Sequence, residues 1–92
     1  MPRFLVEVPH EATLEACELA LRRFLESGSH FLTNADWGCA DETHKAWMVV
    51  DMESKAAVHM MLPAVDRQRA TVVELERFDP QDLEKLHQTH QD

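Results

Sequence analysis

The sequence predicts an α+β fold in which one four-stranded antiparallel sheet carries two helices on one face. Three observations predict it. Apolar residues alternate in "RFLVEV", "HKAWMVV" and "RATVVEL". Two other stretches repeat their apolar residues at spacings of three and four. The elements then run strand, helix, strand, strand, helix, strand.

In the first strand Phe4, Val6 and Val8 fall on one side and Arg3, Leu5 and Glu7 on the other. That is the period of a half-buried strand, and Pro9 ends it. From about Glu11 to Ser27 the residues Leu14, Cys17, Leu21 and Phe24 make one helical stripe facing a core. Glu11 and Glu15 suit the positive start of that helix, Arg22 and Arg23 suit its end, and Gly28 is placed to cap it. "HFLTNADW" reads as the second strand, "GCADET" as the connection and "HKAWMVVDM" as the third strand, ending near Met52. A second helix from about Ser54 to Leu62 turns Val58, Met61 and Leu62 inward and closes at Pro63. "RATVVELERF" is the fourth strand. Asp79 and Pro80 then open a short C-terminal helix that carries His87 and His90. Residues 1–78 form the domain and residues 79–92 its helical tail.

This order is the ferredoxin-like βαββαβ arrangement, in which right-handed crossovers lay both helices on one face. The helix-free face is expected to show Leu5, Trp47, Val49 and Val72, interrupted by Glu7, Asp51 and Glu74. Two such faces packed together would give a homodimer with a partly polar cavity between the sheets.

Ninety-two residues make one small domain that buries roughly 60 to 65% of its unfolded surface, too little for a deep pocket inside one subunit. Seventeen acidic residues against nine basic ones give a formal charge of -8, which repels nucleic acid and anionic membranes alike. "MPRFLVEVPH" has the features of neither a signal peptide nor a membrane span, so the cytoplasm is the expected compartment. Cys17 and Cys39 are too few for a disulfide framework and are expected as thiols or ligands in a reducing compartment.

In this topology the turn after the first strand and the hairpin tip share one end of the domain. His10 lies in that turn, Cys17 in the early turns of the helix, and Cys39 and His44 bracket the hairpin. By strand parity His10 continues the Val8 side and His44 continues the Ala46 side, both toward the helices. Two thiolates and two imidazoles satisfy a tetrahedral divalent ion, zinc first, with nickel or iron next. The spacing is not that of a zinc finger, so the signal is the predicted convergence. Asp36, Asp41 and Glu42 are placed to supply an oxygen ligand or to orient a histidine. Singly, three of the four also fit ordinary roles, Cys17 as a small core residue and His10 and His44 as surface or edge residues, whereas an exposed Cys39 thiol on an acidic loop has no packing reason. The chain has no Gly-rich phosphate loop, no nucleophile elbow and no paired zinc-protease histidines.

The stretches "VPHEATLEAC", "WGCADETHKAW" and "MLPAVDRQRATVVELERFDPQDL" resemble a group of small bacterial proteins of the dimeric α+β-barrel superfamily. That group carries a His, a Cys, a Gly-Cys and a later His-x-x-aromatic at similar places. The resemblance implies the fold and the dimer. It leaves function open, since more distant members include nickel-binding proteins, lactone isomerases and haem-handling monooxygenases.

Three functions therefore compete. The leading one is a cytoplasmic metal-binding protein using His10, Cys17, Cys39 and His44. The second is a small-molecule isomerase, monooxygenase or ligand-binding dimer, in which His10 or His44 acts as general acid or base. The third is a reversible Cys17–Cys39 disulfide, which needs Cα atoms within about 7 Å.

Overall fold

The structure, a computed structural model, describes residues 1–84. It is an α+β fold with strands β1 (Arg3–Pro9), β2 (Asp36–Trp37), β3 (Lys45–Asp51) and β4 (Thr71–Leu75). The helices are α1 (Leu14–Glu26), α2 (His30–Thr33) and α3 (Lys55–Met61). The strands form one open sheet in the order β2-β3-β1-β4, and every neighbouring pair is antiparallel. Among the described residues no helix is long and apolar enough to cross a membrane.

The pleat decides which side chains meet. Phe4, Val6 and Val8 stand opposite Val50, Met48 and Ala46, and Val6 also faces Val72 across β4. All seven are buried, and they share one core with Phe24 from α1, Leu32 from α2, Val58 from α3 and Leu62 just after it. Each large apolar side chain removed from water in this way contributes roughly 1.5–3 kcal/mol.

Three local expectations are corrected. The first concerns α1. Thr13 stays extended and its Oγ1 accepts the Ala16 amide at 3.0 Å, so the helix begins at Leu14 and not near Glu11. Its inward face carries Ala16, Cys17, Ala20 and Phe24, while Leu14 and Leu21 are 74% and 40% exposed. The buried stripe is rotated by roughly 60° from the expected one, because small alanines let the helix lie close to the sheet where leucines would hold it off. Gly28 does take the left-handed conformation, φ 75°, just past the last turn.

The second correction concerns "HFLTNADW". Ser29 accepts the Leu32 amide at 3.4 Å, Thr33 Oγ1 donates to the Ser29 carbonyl at 2.8 Å, and Asn34 Nδ2 donates to the His30 carbonyl at 2.8 Å. These local bonds wind His30–Thr33 into α2 and bury Leu32, leaving a β2 of two residues.

The third correction concerns β4. Val72, in register with Val6, is buried among the helices; Val73, in register with Leu5, is 45% exposed on the open face. That face therefore carries Leu5, Trp47, Val49 and Val73. Glu7 crosses it, accepting the Trp47 indole N–H at 3.1 Å and facing Lys45 Nζ at 3.4 Å.

α3 is capped by Ser54, which accepts the Ala57 amide at 3.1 Å. Past it, a 3₁₀ turn at Ala64–Asp66 sends the fully buried Asp66 carboxylate to Arg23 of α1, at 2.9 and 3.2 Å. Asp79 and Asp82 form a reciprocal cap around a turn at Pro80–Asp82. The remainder of the expected tail helix, with His87 and His90, lies outside the described residues.

Candidate metal centre

β1 and β3 continue to pair one step beyond their ends. The His10 amide donates to the His44 carbonyl at 3.0 Å, directly after the pair Pro9↔Lys45. Two residues on from the buried pair Val8↔Ala46, both imidazoles lie on the helix side, their ring centroids 5.7 Å apart and edge to face.

The hairpin brings the third group. The Gly38 amide donates to the Lys45 carbonyl at 3.0 Å, and the Gly38 carbonyl accepts from both Asp41 and Thr43. The chain then makes a 3₁₀ turn over Cys39–Asp41, with Glu42 left-handed at φ 60° to return it to β3. A Cβ on Gly38 would stand 2.7 Å from the Thr43 carbonyl oxygen and 2.7 Å from the Trp47 ring, so only glycine fits there. The turn delivers Cys39 Sγ to 3.3 Å from His10 Nε2. Ligand atoms of His10, Cys39 and His44 all lie within 4.8 Å of one another.

Cys17 completes the group from α1, where its amide donates to the Thr13 carbonyl at 3.0 Å. Its Sγ lies 2.7 Å from Cys39 Sγ, although it is not one of the mutually close three. All four expected residues are thus drawn to one end of the domain. The expected carboxylates are not: Asp36, Asp41 and Glu42 are absent from the group, and Nδ1 of both His10 and His44 is buried without a hydrogen-bond partner. Trp37 forms a wall of the site. Its ring lies 5.9 Å from that of His10 and 5.1 Å from that of Phe24, joining site to core.

The surroundings favour the neutral forms of His10 and Cys39. Burial, helped by the nearby His44 and Arg23, lowers the His10 pKa below 6.5. Burial, together with the hydrogen bond and charge of Cys17, pushes the Cys39 thiol up to about 11. A backbone hydrogen bond pulls the Cys39 thiol the other way, but burial and Cys17 outweigh it. His10 meets Cys39 through Nε2, so Nε2 is the atom placed to ligate, and its buried Nδ1 has no partner to orient the ring.

Beside His10, a recess lined by Ala16, Leu19, Arg23, Val65 and Arg69 encloses about 150 Å³. This falls below the roughly 300–1,000 Å³ of ordinary small-molecule sites. Its cations are already engaged, Arg23 by Asp66 and Arg69 by Glu11 at 3.5 Å.

No family model matches the sequence, and neither the curated proteins nor the solved structures yield a match.

Proposed function

We propose that the protein binds a divalent transition metal through His10, Cys17, Cys39 and His44, with zinc the first candidate and nickel or iron next. The observation that carries the proposal is the gathering of His10, Cys39 and His44 within 4.8 Å, with the Cys17 sulfur against Cys39. A tetrahedral zinc ion sets neighbouring sulfur and nitrogen ligands roughly 3.6 Å apart, from Zn–S near 2.3 Å and Zn–N near 2.0–2.1 Å. The 3.3 Å between Cys39 Sγ and His10 Nε2 is close to that edge. Two sulfurs on such an ion stand roughly 3.8 Å apart, so Cys17 and Cys39 need to part by about 1 Å. Four protein ligands leave no position for a substrate, so the site holds its ion instead of using it in turnover.

The strand order with β1 and β3 in the middle supports reading the fold as ferredoxin-like. The half-exposed Val49 and Val73 beside Leu5 and Trp47 support a homodimer through the open face, the assembly of the dimeric α+β barrels that the sequence resembles. The thiol ligands fit a reducing, cytoplasmic setting.

Metal analysis of protein purified without a polyhistidine tag tests the proposal. About one equivalent of zinc per chain is expected, lost on Cys39→Ala. Less than about a tenth of an equivalent of any transition metal, unchanged by added zinc, would sink it.

A further inference from the structure

The two sulfurs proposed as ligands are also placed to bond to each other. Cys17 Sγ and Cys39 Sγ lie 2.7 Å apart, between the 2.03–2.05 Å of a disulfide and the roughly 3.8 Å of two thiolates on one zinc ion. Both residues are partly exposed, so a small solute reaches them. They belong to separate elements, Cys17 to the first turns of α1 and Cys39 to the hairpin anchored by Gly38 and Lys45. Closing by about 0.7 Å selects the disulfide and parting by about 1.1 Å the metal, and the two exclude each other.

We propose that the centre is redox-gated: a peroxide joins Cys17 to Cys39 and thereby expels the metal. The inference rests on the metal-binding reading above and adds its regulation. One metal-bound thiolate attacks a peroxide oxygen; the O–O bond breaks, leaving a sulfenic acid and hydroxide. The second thiolate attacks that sulfur; the S–S bond forms, the S–O bond breaks, and a second hydroxide leaves. The two sulfurs give up two electrons, hydrogen peroxide becomes two waters after taking two protons, and the ion departs with its charge unchanged. His10 and His44 alone then face the ion, and two imidazoles do not complete a tetrahedral site.

The test uses the zinc-loaded full chain and hydrogen peroxide, with released zinc read by a chromogenic chelator and the thiols by mass. Zinc release is expected to rise in step with a species lighter by two hydrogens, whose disulfide peptide joins Cys17 to Cys39. Dithiothreitol and added zinc then restore the starting complex. In Cys17→Ser protein the disulfide cannot form, and dithiothreitol-reversible zinc release through it disappears. Zinc retained while the disulfide accumulates overturns the gate alone, as does release through sulfinic acid without a disulfide. A chain that takes up no zinc overturns the metal reading and the gate together.

Discussion

His10 and His44 face each other across β1 and β3, one step past the last paired residues of both strands, tied by the hydrogen bond from His10 N–H to the His44 carbonyl. The two imidazoles are therefore positioned by the sheet, and their Nδ1 atoms are buried without partners. A buried polar atom left unpaired costs about 1–3 kcal/mol. His44→Leu should accordingly raise the stability of the metal-free protein, by about 1 kcal/mol in denaturant unfolding, while weakening zinc binding at least about tenfold. A loss of metal-free stability with unchanged zinc affinity would show that His44 is only a packing residue.

The shifts of His10 and Cys39 set a pH window for the metal-free protein. The unfolded His10 takes a proton below pH 6.5 more readily than the folded one, so stability should fall as the solution is made more acid than that. The Cys39 thiol keeps its proton in the fold up to about 11, against 9.0 ordinarily. Its contribution is complete below pH 9.0 and disappears as the pH rises through about 11. Unfolding midpoints across this range should show both flanks, with the alkaline flank absent in Cys39→Ala.

Zinc affinity should move the other way on the alkaline side. Since Cys39 is protonated at neutral pH, the ion must displace a proton, and affinity should climb about tenfold per pH unit for each thiol proton released between pH 6.5 and 9.0. Competition with a chelator of known pH dependence measures the slope. A flat profile would mean that no thiolate takes part.

Gly38→Ala places a methyl group against the Thr43 carbonyl and the Trp47 indole, each 2.7 Å away. The cost should be about 2 kcal/mol, in the range of overpacked positions. Because the same turn carries Cys39, zinc affinity should fall with it. Trp47→Ala in the same chain should recover only part of the loss, since the carbonyl stays in place.

Arg23→Met leaves the Asp66 carboxylate, fully buried, without its guanidinium. Removing one partner of such a pair costs about 3 kcal/mol or more. Replacing both residues, Arg23→Met with Asp66→Leu, should return most of it, and chemical denaturation of the three variants separates these outcomes.

A Cys17–Cys39 disulfide closes a loop spanning 22 positions, which stabilises the fold by about 3 kcal/mol on the chain-entropy account. Peroxide-treated, metal-free protein should therefore unfold at higher denaturant than reduced protein, and Cys17→Ser should not.

Much of the site was legible in the sequence because it depends on parity. Counting alternate residues from Val8 and Ala46 puts His10 and His44 on the helix side without knowledge of any contact, and the structure adds the register, Val8 opposite Ala46. Parity fails where the start of counting is wrong, as with Val72 and Val73, whose exchange follows from the register of an edge strand. The 3.6 period fails more gently. The α1 stripe was rotated because leucine outranks alanine in hydrophobicity, whereas alanine wins where a helix must approach a sheet closely. β2 was overlong because β-favouring residues in "HFLTNADW" hid the capping bonds of Ser29, Thr33 and Asn34, which act within one turn. The wall formed by Trp37 and the fit of Gly38 under Trp47 are contacts between distant side chains, and periodicity does not encode them.

β1 sits between β3 and β4, so the earliest strand of this sheet is held on both sides by strands made later. Phe4 meets Val50 on one side and Glu74 on the other. During synthesis, the centre of the sheet waits for β4, and folding carries the delay of long-range pairing. All four proposed ligands precede Lys45, so a nascent chain exposes its complete donor set well before β4 exists to enclose β1. An ion caught at that stage would already hold the β1–α1 turn to the hairpin when the last strand arrives.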